Sequence, residues 1–203
     1  MINPSVAKEL NAFQYDARLC SAQLLVIKGD LTRLQHKETK EHHKTGLKQR
    51  IKGALGTVGW LCRQHSSANT NNSLHKESFN KARLAFKTEN LQGLHENLDS
   101  LILSMPLKVN NFEFQHLSNK TLKTSISIYK HYCQACHNQP NDKSETPAYS
   151  LFKMAKKMSR EELLARILVG VHGTSKIALR NPLTDDDITG LITYFTKTKK
   201  AKH

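Results

Sequence analysis

One apolar seam constrains this chain more than any other feature. Val6, Leu10, Phe13, Ala17, Cys20, Leu24, Ile27, Leu31 and Leu34 recur at alternating steps of four and three residues. A heptad pattern sustained that long specifies a helix with one face to bury against other helices. A polar stretch from Gln35 to Lys44 follows, then a second seam through Leu47, Ile51, Ala54, Val58 and Leu61. The two segments read as an antiparallel hairpin. The second helix carries Gly53, Gly56 and Gly59, each costing up to about 1 kcal/mol relative to Ala in a helix interior. Their spacing puts them near one face, and a close helix approach is the expected compensation. Ser66–Ser73 has loop composition. A third helix is expected from about Lys76 to Met105, with a seam at Leu91, Leu94, Leu98, Leu101 and Met105 and a stop at Pro106. Residues 1–110 therefore read as an all-α antiparallel helical bundle, its fourth helix borrowed from elsewhere. Residues 111–121 read as a linker, extended through Phe112 and Phe114, ahead of a second domain at 122–203.

Hairpin geometry relates two of the four cysteines. With the turn centred near Glu41, residue i faces residue 82−i, so Cys20 faces Cys62. A disulfide between them would close a loop of about 43 residues, worth roughly 4 kcal/mol in the chain-entropy model. The other reading is a pair of buried free thiols.

Charge bounds the partners. The chain has 31 Lys and Arg against 17 Asp and Glu, a formal charge of +14. Residues 1–110 hold 16 basic and 9 acidic side chains and residues 111–203 hold 15 and 8, so each part carries +7. The excess is spread evenly, and Lys197–Lys202 is the only dense run. Such a field favours acidic proteins or anionic surfaces. Nucleic acid is not expected, because no recognition motif accompanies the charge and aromatic residues are few. No apolar run approaches the roughly 20 residues of a membrane span.

The residues that carry chemistry are Cys133-Gln134-Ala135-Cys136-His137. Cys-x-x-Cys-His is the attachment signature of c-type haem. Two thiols on one helical turn reach one edge of the ring as thioethers, and the adjacent His becomes the proximal iron ligand. Half a zinc site or a thioredoxin-like pair are the alternatives. Zinc would need a second pair, and Cys20 and Cys62 lie in another helical unit. A thioredoxin-like pair would need a parallel sheet, which the pattern does not contain.

The flanks extend the motif into a family resemblance. Over roughly Thr121–Lys197 the chain resembles the class I cytochromes c. Ser125–Tyr129 stands where the family has its first amphipathic helix, with Tyr129 four residues before Cys133. Thr146-Pro147-Ala148-Tyr149-Ser150-Leu151 resembles the family's Pro-Ala-Leu segment. The resemblance implies that the Pro147 carbonyl accepts a bond from His137, fixing its tautomer. Ser159-Arg160-Glu161-Glu162 opens a helix with a capping-box pattern that runs to Gly170. Thr184 caps a final helix with three acids in its first turn. In the family that helix crosses the first, which here implies a contact among Ser125, Tyr129, Leu191 and Tyr194.

The chain departs from the family at the distal ligand. Where the family reads Gly-x-x-Gly-x-x-Met-Pro, this chain has Gly170-Val171-His172-Gly173-Thr174-Ser175-Lys176-Ile177, and no methionine follows Met158. The distal position then falls to His172, to Lys176 if desolvated enough to present a free amine, to Met154 or Met158, or to none. A nitrogen ligand in place of Met lowers the reduction potential.

Other residues are expected to be structural. His36, Glu38, His42 and His43 read as a solvated face rather than a metal site. His131 reads as exposed and Trp60 as a packing anchor. The expected function is that of a monohaem electron carrier with one covalent haem c and an acidic redox partner, oligomers through the bundle being open. The alternative is a haem enzyme or small-ligand sensor with an open distal side. Haem attachment and a disulfide would both point outside the reducing cytosol, to a periplasmic or otherwise extracytoplasmic location. Residues 1–30 do not resemble a signal peptide, so the targeting segment is expected to have been removed already.

Overall fold

The computed structural model describes residues 4–63, 72–109, 112, 118–139, 142–170 and 183–197; within these, side chains are described from Arg18 in the first helix and from His75 in the third. Among the described residues the chain is all-helical, with no strand. It divides into two compact units, Met1–Leu107 and Lys108–His203.

In the first unit α1 (Pro4–Gln35) and α2 (Glu41–Arg63) pair antiparallel. Cys20 is disulfide-bonded to Cys62, with Cα atoms 5.0 Å apart. The turn between the helices is closed by Thr39, whose Oγ1 donates to the Arg33 carbonyl at 2.7 Å and whose N–H reaches the His36 carbonyl at 3.0 Å. These bonds satisfy acceptors that a helix end leaves unpaired. The seam residues Cys20, Leu24, Ile27, Leu31 and Leu34 of α1 and Leu47, Ile51 and Val58 of α2 are all buried, joined by Leu55.

The expected third helix is two helices. α3 (Asn72–Lys87) and α4 (Leu91–Ser104) are separated at Thr88, Glu89 and Asn90. Glu89 takes a left-handed φ of 55°, and the Asn90 side chain caps α4 by accepting the Gly93 N–H at 2.9 Å. A left-handed residue followed by an Asn cap ends one helix and starts the next. The break supplies the fourth helix from within the unit. Phe79, Ala82 and Ala85 of α3 and Leu94, Leu98 and Leu101 of α4 complete one apolar core. Met105 caps α4 just before Pro106. The pairs Lys28–Asp99 and Gln35–His95 set α4 antiparallel to α1.

Three expectations for this unit change. Gly53 and Gly56 face open space, and only Gly59 lies under another helix, against Arg83 and Phe79. A three-residue step falls short of a helical turn, so the glycines drift around the axis. Trp60 is 56% exposed and anchors nothing in the core. His43 is buried, whereas His36, Glu38 and His42 are exposed.

Asp30, 1% exposed, accepts a bidentate pair from Arg50 and a bond from Arg33 Nη1 at 3.1 Å. A carboxylate that deep needs such partners to remain charged.

The second unit holds α5 (Asn119–Ile128), a π-helical turn (Tyr129–Cys133), α6 (Gln134–His137), α7 (Leu151–Lys157), α8 (Arg160–Val169) and α9 (Asp185–Lys197). Its caps follow from sequence. Ser118 accepts the Thr121 N–H at 3.1 Å, and Ser159 accepts the Glu162 N–H at 3.1 Å. The Glu162 carboxylate goes to Arg166 at 2.9 Å. Gly170, in the left-handed region at φ 62°, ends α8. Thr184 and Asp187 form a reciprocal box: the Asp187 N–H donates to Thr184 Oγ1 at 3.2 Å and the Thr184 N–H to Asp187 Oδ2 at 3.0 Å.

α9 crosses α5 at close range. Gly190 rests on Ser125, which is fully buried and donates to the Thr121 carbonyl at 2.9 Å. Two small residues at the crossing let the backbones approach. Beside it, Tyr129, Phe152, Leu191 and Phe195 form a core with Tyr194 packed on it. Ring centroids lie 5.2–5.9 Å apart, mostly edge to face, the arrangement that ring quadrupoles favour.

Candidate functional site

The Cys-x-x-Cys-His segment begins inside the π-helical turn. Tyr129 to Cys133 occupy the widened turn, closed by the Gln134 N–H on the Tyr129 carbonyl. Such a turn amounts to one inserted residue, so the residues after it are offset by about 100° from an uninterrupted α-helix. Ser125 and Tyr129 can thus face α9 while Cys136 and His137 are re-aimed on a separate turn of α6.

Both cysteines of the motif are free thiols. Cys133 packs against the aromatic core, and burial, followed by its neighbour Cys136, pushes its thiol up to about 11. Cys136 is exposed. The second thiol therefore faces solvent while the first sits on an apolar floor.

His137 is held by its Nδ1, 2.6 Å from the Tyr149 carbonyl oxygen. A carbonyl only accepts, so Nδ1 carries a proton, and in the neutral imidazole the lone pair is on Nε2. This is the tautomer of a histidine prepared to ligate a metal through Nε2. The partner differs from the expectation. Pro147 does not receive this bond; its carbonyl instead accepts the Tyr149 N–H at 3.1 Å. The turn closed by that bond brings the carbonyl two residues further on to the ring.

Tyr129 links the motif to the core. Its hydroxyl donates to Asn138 Oδ1 at 2.5 Å, just beyond His137. Burial, then the neighbouring Tyr194 and Cys133, raises its phenol above the ordinary range. Tyr129, Leu191 and Tyr194 meet as expected, and Ser125 lies under Gly190 in the same crossing.

The distal candidates fall differently. His172 and Lys176 lie outside the described residues, as does the basic tail from Thr198 onward. Met154 and Met158 are half-buried on α7 and at its C-terminal cap. His131 is exposed, with Nδ1 2.7 Å from the Ser127 carbonyl. Among the described residues no three His, Cys, Asp or Glu side chains are grouped as metal ligands. His36, Glu38, His42 and His43 do not form such a group.

Two features escaped the sequence reading. The buried Asp30–Arg50 pair had a signal: an acid inside an apolar seam, opposite a basic residue in the hairpin register. The π-helical turn had none, because its five residues have ordinary composition.

No helix among the described residues is long and apolar enough to cross a membrane. No family model, curated protein or solved structure compared with the chain matches it.

Proposed function

We propose that the second unit is a monohaem c-type cytochrome domain that carries electrons. Haem is held as thioethers by Cys133 and Cys136, with His137 as proximal ligand and the distal side filled by a non-methionine ligand or left open. One observation carries the reading: two free thiols three residues apart precede a histidine whose Nδ1–H is bound to a backbone carbonyl. That donor set fits covalent haem. It fits a structural zinc site poorly, since that needs four ligands and, among the described residues, no further His, Cys, Asp or Glu joins Cys133, Cys136 and His137 in a metal-holding group. Bound haem supplies a ferric/ferrous couple; the chain supplies the attachment, the tautomer of His137 and an aromatic floor behind Cys133.

The overall charge of +14 favours an acidic redox protein as partner, with fast and salt-sensitive association. The first unit then serves docking or oligomerisation through its outer surface, since its apolar seams are buried in its own core. The Cys20–Cys62 disulfide fits an oxidising compartment, and covalent haem attachment agrees with a periplasmic site.

The second reading is a haem enzyme or small-ligand sensor. It is favoured by Lys176 standing where the family has methionine and by the absence of methionine after Met158. An absorption spectrum of the reduced protein with and without carbon monoxide, taken with a haem-to-protein ratio, decides. One covalent haem that ignores carbon monoxide is the expected result for a carrier. A prompt shift with carbon monoxide selects the enzyme or sensor. A chain that takes up no covalent haem in cells equipped to attach it overturns both.

A further inference from the structure

Far from the thiols in sequence, the first unit contains a cavity of about 170 Å³ between the end of α2 and the start of α3. Its wall includes Arg63, His75, Lys76 and Arg83 beside Asn80 and the apolar ring of Phe79, and among the described residues no carboxylate lines it. Three permanent cations and an imidazole around one concavity form a local field of single sign. Low-dielectric walls focus such a field.

Arg83 is fixed in place. Its Nε donates to the Leu55 carbonyl at 2.8 Å and its Nη1 to Asn80 Oδ1 at 3.1 Å. The remaining Nη2 lies over Gly59, where a Cβ would come within 2.8 Å of it. Gly59 is thus the residue that lets the guanidinium lie across α2. Two donors are spent on orientation and one terminal nitrogen is left at the cavity wall. An arginine fork held this way recognises oxyanions with little further loss of entropy.

The other cations are not explained by local stability. His75 and Lys76 stand at the start of α3, whose first turn has no acidic residue. A permanent cation near that end, as Lys76 is, opposes the helix dipole. Among the described residues neither they nor Arg63 has an acidic partner. Positions that break a local rule without internal compensation are where function is expected.

We infer that this cavity binds a free, phosphate-sized oxyanion, with Arg83 as the oriented donor and Arg63, Lys76 and His75 as the surrounding field. The site does not depend on haem attachment.

The test is isothermal titration of the full chain with inorganic phosphate and with pyrophosphate in a low-salt buffer free of other oxyanions. Saturable one-to-one binding is expected. The double variant Arg63→Gln/Lys76→Gln removes two exposed cations and should weaken it at least about tenfold. Lys52→Gln/Lys87→Gln removes the same net charge outside the cavity and should weaken it no more than about threefold, the loss expected from the long-range field alone. Gly59→Ala, which displaces the Arg83 guanidinium, should also weaken binding, and circular dichroism checks that each variant is folded. Absence of saturation, or equal loss in both double variants, overturns the site. Retention on phosphatidic acid vesicles without binding of soluble phosphate or pyrophosphate overturns it as a site for a free anion.

Discussion

Gly190→Ala sets helix propensity against packing at the crossing of α9 and α5. In an exposed helix interior this substitution stabilises by about 0.8–1.0 kcal/mol. Here the added Cβ meets Ser125 Oγ inside any normal contact distance and the Thr121 methyl at 3.2 Å. Ser125 is fully buried and its hydroxyl is tied to the Thr121 carbonyl at 2.9 Å. Turning it aside gives up a bond worth about 1 kcal/mol, and overpacking a tight contact costs about 1–3 kcal/mol. The net expectation is destabilisation by about 1–2 kcal/mol. Amide hydrogen exchange, read by mass spectrometry on peptides from α9, reports the second unit separately from the first. A loss of that size speeds exchange there about five- to thirtyfold and leaves peptides of α1 and α2 unchanged. In a Ser125→Ala background the oxygen is gone, leaving the Ser125 Cβ position at an ordinary 3.6 Å. Gly190→Ala should then be nearly neutral, a coupling of about 1–2 kcal/mol. Slower exchange on Gly190→Ala in the parent chain would refute the close crossing.

Three further outcomes follow from the same geometry. Replacing Cys20 and Cys62 by Ser opens a loop of about 43 residues and should cost the first unit roughly 4 kcal/mol, read as a lowered urea midpoint of Trp60 fluorescence; a change below about 1 kcal/mol counts against the entropic account. Asp30→Asn removes the carboxylate charge facing Arg50 and Arg33 and should cost about 2–3 kcal/mol, below the figure for a fully buried pair because both arginines keep some solvent contact. In the haem-free chain the Cys133 thiol is raised from 9.0 to about 11, so its contribution to stability is complete below pH 9 and is lost as pH rises through about 11. Iodoacetamide at pH 8 should therefore label the exposed Cys136 well before Cys133, as a peptide digest will show.

Much of the first unit is legible because heptad spacing and hairpin register are arithmetic. Facing positions that sum to 82 place Cys20 on Cys62, and the same rule carries Asp30 to within a turn of Arg50. The break at Thr88–Asn90 is harder to read, since apolar residues continue on both sides. Only the Asn90 cap and the shift from the Phe79–Ala82–Ala85 face to the Leu91–Leu94–Leu98 face signal it. Trp60 shows the converse limit. A large aromatic is expected inside, but its position on α2 is decided by helical phase, and the phase of the seam at Val58 and Leu61 turns Trp60 outward.

In the second unit the caps and the crossing of the first and last helices were readable, whereas the place of Phe152 in the aromatic core and the partner of His137 were not. Motif resemblance points to a proline carbonyl, but which carbonyl reaches an imidazole depends on how the intervening turn folds. Here the Tyr149 N–H folds back onto Pro147, and the Tyr149 carbonyl takes the bond. The chemical consequence is nevertheless the same, because any backbone carbonyl fixes the proton on Nδ1 and leaves Nε2 free. The residue predicted for the role was replaceable and the acceptor type was not. The proposed role of His137 therefore does not depend on which carbonyl holds it. For the proposed haem, the distal candidates His172, Lys176, Met154, Met158 and an open position differ in kind, so a spectrum rather than spacing distinguishes them.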